Sequence, residues 1–149
     1  MKIIAHRANL DGPDIYENSP ESLFQAIIAG FDVELDVRLH DNKLYLGHDR
    51  PQYVLDTGMM LRIKDRAWLH CKNFEALDYL NKNFPDFNYF WHDSDKYTIT
   101  SKGFIWAYPG EVANSNTVVV LPETTNQNLD GVYAICTDYP RKYKVAGTN

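Results

Sequence analysis

The stretch Phe31-Asp32-Val33-Glu34-Leu35-Asp36-Val37-Arg38-Leu39 alternates apolar and charged side chains without a break. A period of two marks a strand whose faces differ, because successive side chains leave a pleated backbone on opposite sides. Residues 31–39 are therefore predicted as a strand with one apolar face and one charged face. Glu34 and Asp36 project the same way from it. Inside a small barrel, two such carboxylates are costly unless a cation or a proton neutralises them, and hard oxygen ligands suit Mg²⁺ or Ca²⁺. The same spacing also fits the solvated outer face of an edge strand.

Upstream, the run KIIA at residues 2–5 predicts a strand ending at His6, and a loop bearing Gly, Pro and Asp follows over residues 9–18. Ser19 is a good N-cap, Pro20 suits the first helical position, and Gly30 ends the apolar series Leu23, Ile27, Ile28, so residues 20–29 read as a helix. Downstream, an Asp41-Asn42 turn leads into a short strand over residues 43–47 that returns to His48. Residues 51–66 carry a weak pattern, expected to be irregular or a short helical turn where a barrel has a full helix. Residues 67–72 predict a strand, and Asn73 then caps a helix with Phe74, Leu77, Leu80 and Phe84 on one face, stopped by Pro85. Further strand candidates lie at 88–91, 104–107, 117–121 and 132–136, with little chain between them for complete helices.

Alternating strands and helices imply mostly parallel pairing. Seven or eight short strands suffice to close a compact barrel, and an open α/β sheet fits the same order. No GxGxxG or GxxxxGK[ST] turn supports nucleotide binding. The 149 residues fit one domain, 1–149, but fall short of the roughly 250 typical of a full eight-unit α/β barrel. A formal charge of -5 argues against a nucleic-acid or anionic-membrane surface, which clustered Lys and Arg would hold. Cys71 and Cys136 have no CxxC spacing and lie in predicted strands, so both read as reduced core thiols. No apolar run is long enough to cross a membrane or to make a secretory leader, and the expected address is cytoplasmic, without stable membrane insertion.

His6 and His48 each follow an apolar run, at strand ends, where α/β barrels gather catalytic groups. Arg7 offers a planar fork suited to phosphate; its bland alternative is a surface ion pair with Asp49 or Glu17. Two histidines able to exchange protons, an arginine and a carboxylate pair are the groups that cleaving a P–O bond requires.

The chain resembles the glycerophosphodiester phosphodiesterase family of the phosphatidylinositol phospholipase C-like TIM-barrel superfamily. The resemblance runs through His6-Arg7-Ala8, Glu17-Asn18-Ser19, residues 31–37 and Gly47-His48-Asp49, and then through Lys72, Trp106 and residues 130–140. It implies an α/β fold of abbreviated TIM-like barrel type, with several helices shortened or missing, mainly after residue 85. It also implies a phosphodiester hydrolase for small glycerophosphodiester-like substrates. In that scheme His6 and His48 are the general acid and base, Glu34 and Asp36 are metal ligands, and Arg7 and Lys72 contact phosphate. Trp106, with Tyr108, is expected to wall the substrate site, although a single strand Trp reads equally well as core.

Three departures stand out. Ala8 replaces the family's usual glycine, a small change if φ is negative there and a harder one if it is positive. His70 stands where the family places a third acidic ligand, which extends the expected metal from Mg²⁺ or Ca²⁺ toward Mn²⁺ or Zn²⁺, unless His70 merely packs. Glu111 and Glu123 are fallback carboxylates. The short chain implies an open site, suited to small phosphodiesters or completed by a second subunit of a homo-oligomer. Two alternatives accompany the hydrolase: a non-catalytic barrel binding phosphate or a lipid headgroup, and a lyase of the sphingomyelinase D-like type that forms a cyclic phosphate.

Overall fold

The computed structural model describes residues 1–145. Its strands are β1 (Lys2–His6), β2 (Asp32–His40), β3 (Lys43–Leu46), β4 (Tyr53–Val54), β5 (Ala67–Cys71), β6 (Asn88–Phe90), β7 (Tyr97–Ile99), β8 (Ile105–Ala107), β9 (Thr117–Val120) and β10 (Ala134–Thr137). The helices are α1 (Pro20–Ile28), α2 (Thr57–Ile63), α3 (Phe74–Asn83) and α4 (Pro140–Val145), with one 3₁₀ turn at Pro122–Thr124.

Each longer helix begins where a side chain can take an orphan backbone N–H. Ser19 Oγ accepts from Ser22 N at 3.1 Å, and Pro20 occupies the first turn of α1. Asn73 Oδ1 accepts from Ala76 N at 3.0 Å, while its amide also bonds the Leu39 carbonyl at 3.0 Å, so one side chain starts α3 and ties it to β2.

The strands form a curled sheet in a mixed α/β fold. β6, β5, β2, β1, β10, β9 and β8 lie side by side, each parallel to the next, and β7 adds antiparallel at the β8 edge. β2 does double duty. Residues 32–37 pair with β1 and β5, and residues 37–40 pair antiparallel with β3, which carries β4. The two ends of the curl approach through both side chains and backbone: Phe90 and Trp106 have ring centroids 4.4 Å apart, and the Ser101 backbone N–H donates to the Tyr89 carbonyl at 2.8 Å.

The period of two in β2 partitions as its sequence predicts. Val33, Leu35 and Val37 join Leu23, Ala26, Met60, Ile63, Leu69, Ala76 and Leu80 in the layer between sheet and helices. The concave side holds Ile4, Trp68, Phe90, Trp106, Val118, Ala134 and Cys136. Asp32, Glu34 and Asp36 are buried, and Asp32 bonds Trp68 Nε1 at 3.0 Å. Both cysteines are free and buried.

Residues 51–66 contain more order than their pattern announces, namely β4 and α2, with Asp56 capping the helix through Met59 N at 2.9 Å. β7 and α4 have no counterpart in the sequence reading. From β6 to β10 the connections carry no α-helix among the described residues, and β7 with the 3₁₀ turn stands in the interval. No helix among them is long and apolar enough to cross a membrane.

Candidate functional site

Register brings the chemistry together. Parallel pairing sets His6, the last residue of β1, beside Glu34, and His70, the last but one of β5, beside Asp36. One ligand atom from each of Glu34, Asp36 and His70 lies within 4.8 Å of the others. Glu34 and Asp36 are each only 1% exposed and His70 is 14% exposed. His70 Nδ1 stands 3.2 Å from Glu34 Oε2 and 3.7 Å from Asp36 Oδ1. Two buried carboxylates and an imidazole on one point form a donor set that fits a divalent cation.

The turn after β1 holds the carboxylates in place. Strand geometry stops at His6, since Arg7 has φ +52° and Ala8 φ +60°. Arg7 N donates to Glu34 Oε1 at 2.9 Å, its Nη1 to Glu17 Oε1 at 3.0 Å, and its Nε faces Asp36 Oδ2 at 3.4 Å. Ala8 therefore occupies the backbone region that favours glycine, the harder of the two cases. Asn18 grips Asp36 from the other side: its amide donates to Asp36 Oδ2 at 2.9 Å and its oxygen accepts Asp36 N at 3.0 Å.

His6 Nδ1 lies 2.8 Å from Asp138 Oδ1, an oxygen that also accepts from Asn9 Nδ2 at 3.0 Å. Glu123 accepts from Asp138 N at 3.0 Å and from Thr137 Oγ1 at 2.7 Å. It positions Asp138 and stands apart from the metal-type cluster, as does Glu111.

A cavity of about 200 Å³ opens beside this cluster, lined by His6, Glu34, His70, His92, Trp106 and Tyr108 among others. Trp106 is 2% exposed and packs on Phe90 and Trp68, so the cavity wall and the core share it. His48 and Lys72 do not line this cavity. His48 follows the antiparallel strand β3, is 36% exposed, and its Nδ1 lies 2.8 Å from Asp49 Oδ1. Its loop is anchored to β2, with Gly47 N donating to the Asp36 carbonyl at 3.0 Å and Arg38 donating to the carbonyls of Gly47 and His48 at 3.2 and 2.6 Å. Lys72 is half-buried just past β5, its N–H on the Val37 carbonyl.

Charge within the cluster is unevenly shared. Burial works against ionising Glu34, but His6, His70 and the Arg7 N–H outweigh it and bring its pKa down to about 2. Asp36 moves the other way, raised by burial and by the neighbouring Glu34 charge. Burial disfavours protonated His6, yet Glu34 and the Asp138 hydrogen bond overcome it and raise its pKa. Asp138 is held low despite burial by His6 and Asn9. Burial pushes the Cys71 thiol up to about 12 and Cys136 well above its ordinary value, as expected for inert core thiols.

Sequence reasoning assigned no role to Asp138, Asn9, Asn18 or His92. Asp138 follows a strand directly, the signal that found His6. His92 contributes its backbone carbonyl, which no side-chain pattern announces. Comparison with protein-family models, curated proteins and solved structures finds no match to this chain.

Proposed function

We propose that this chain is a divalent-metal-dependent phosphodiester hydrolase for small, glycerophosphodiester-like substrates, built on an abbreviated TIM-like barrel. One observation carries the reading: Glu34, Asp36 and His70 converge on one point beside a cavity that His6 also lines. When bound, the cation would neutralise charge developing on the non-bridging phosphate oxygens. Glu34, Asp36 and His70 would hold it.

The ionised Asp138 carboxylate accepts the proton on His6 Nδ1, which leaves Nε2 as the atom that exchanges protons with substrate or water. Asp49 orients His48 in the same sense. One imidazole takes a proton from the attacking water as its oxygen bonds phosphorus; the other gives a proton to the alkoxide as the P–O ester bond breaks. Arg7 and Lys72 supply positive charge for the phosphate, and Trp106 with Tyr108 forms the apolar wall.

The second reading, a non-catalytic barrel that binds phosphate or a headgroup, draws on the place of His48 outside the cavity and on the Arg7 guanidinium already engaged by Glu17 and Asp36. Hydrolysis of bis(p-nitrophenyl) phosphate and glycerophosphodiesters separates the two. The hydrolase is expected to lose activity with EDTA and to fall at least about 100-fold in His6→Ala and Glu34→Ala. Turnover indifferent to EDTA and to both substitutions would overturn the enzyme reading. Phosphorus NMR of the products distinguishes a phosphomonoester from the cyclic phosphate of the lyase alternative.

A further inference from the structure

The His70 ring is held by three contacts that together decide which nitrogen can act as a ligand. Nε2 lies 2.7 Å from the His92 carbonyl oxygen. A carbonyl only accepts, so Nε2 carries the hydrogen. In the neutral ring the lone pair then sits on Nδ1, the atom 3.2 Å from Glu34 Oε2 and 3.7 Å from Asp36 Oδ1. Phe90 stacks on the ring with centroids 4.7 Å apart and an interplanar angle of 24°, which fixes its plane. His92 is itself buried in the loop after β6, and its side-chain Nε2 bonds the Asp95 carbonyl at 2.5 Å. Three electron-pair donors thus face one another in a buried space, an arrangement that repels itself unless a cation, or a second proton on the ring, stands among them.

We infer that His70 Nδ1 is a metal ligand whose tautomer is set by the His92 carbonyl, and that the site selects a borderline transition-metal dication, Mn²⁺ or Zn²⁺, over Mg²⁺ and Ca²⁺. This rests on the proposed metal site and deepens it. The reason is ligand softness: an imidazole nitrogen binds dications of the Mn²⁺ to Zn²⁺ series far better than it binds Mg²⁺ or Ca²⁺, whereas the carboxylate it stands beside serves both groups. Donation of the second ring N–H to a backbone carbonyl is the usual support for a ligating histidine, because it orients the ring and strengthens the donor nitrogen. His92 is accordingly a positioning residue.

The test measures binding without substrate. Titration calorimetry of metal-stripped wild type, His70→Asp and His70→Gln with Zn²⁺, Mn²⁺, Mg²⁺ and Ca²⁺ gives the ratio of affinities. Pulsed EPR of each Mn²⁺-loaded protein reports whether nitrogen is coupled to the metal. The wild type is expected to show a ¹⁴N coupling that both substitutions abolish. His70→Gln should lower the Zn²⁺ to Mg²⁺ affinity ratio at least about 100-fold, and His70→Asp should lower it while restoring Mg²⁺ binding. His70→Gln keeps the test informative if three adjacent carboxylates prevent His70→Asp from folding. No ¹⁴N coupling in the wild type, an unchanged ratio in His70→Gln, or no stoichiometric metal at all would overturn the inference; the last result means that a protonated His70 itself neutralises the carboxylates. A protein that binds Zn²⁺ through His70 yet hydrolyses no phosphodiester refutes the proposed function alone. An active enzyme with Mg²⁺ bound and no nitrogen signal refutes this inference alone.

Discussion

At Ala8, two residue-scale effects oppose each other. Its φ of +60° costs a non-glycine residue about 1–2 kcal/mol, while its buried methyl contributes about 0.8 kcal/mol. Gly also loses more backbone entropy on folding, by roughly 0.5–1 kcal/mol. Ala8→Gly is therefore expected to change unfolding free energy in urea by less than about 1 kcal/mol. Ala5→Gly, at an equally buried strand position with no such relief, should cost about 1–2 kcal/mol. Equal losses at the two sites would refute the strain at Ala8. The titrating residues predict a shape for the metal-free protein's stability. Glu34 has its pKa lowered, so its contribution is present above its ordinary 4.5 and fades as pH falls toward about 2. His6 has its pKa raised, so its contribution is full below 6.5 and fades as pH rises through the raised value. Asp36, shifted up, works against Glu34 on the acid side. Stability measured by urea melts should peak between about pH 4.5 and 6.5, and His6→Asn should flatten the alkaline limb.

At the scale of elements, β2 is the hub, because it pairs with three strands and is gripped by asparagines at its middle and near its C-terminal end. Asn18 holds Asp36, and Asn73 holds Leu39 while capping α3. Losing an N-cap alone costs about 1 kcal/mol, and Asn73 also satisfies the Leu39 N–H and carbonyl. Asn73→Ala should thus destabilise by about 2–3 kcal/mol in chemical denaturation, against about 1 kcal/mol for a cap with no second task. The β2–β3 hairpin carries His48, and its geometry depends on Gly47, where φ is +153° and an added Cβ would lie 1.9 Å from the Arg50 carbonyl oxygen. Gly47→Ala must move residues 47–50, so it should depress phosphodiesterase turnover while leaving the ¹⁴N coupling of the metal intact. A lost coupling would mean that the hairpin also supports the metal cluster.

For the whole molecule, a cation binding the folded state alone adds RT ln(1 + [L]/Kd), about 2.7 kcal/mol at 100-fold excess over Kd. In a domain of this size that raises Tm by about 5–10 °C, and EDTA should reverse it in calorimetry. Glu34→Gln should abolish the metal-dependent part of the shift. The sequence by itself determined the alternation of β2, the shared face of Glu34 and Asp36, the caps at Ser19 and Asn73, and the burial of both cysteines. These are local properties, set by side-chain period and backbone hydrogen-bond demand within a few residues. Tertiary structure alone decided that the charged face of β2 turns into the curl, that Asp138 meets His6 across 132 residues, and that the His92 carbonyl meets the His70 ring. It also decided that β7 and a 3₁₀ turn stand in the span from β6 to β10, and that His48 rides on an antiparallel hairpin outside the cavity. Those outcomes depend on register and on which strand edges find partners, and pairings between distant segments leave no period in the sequence.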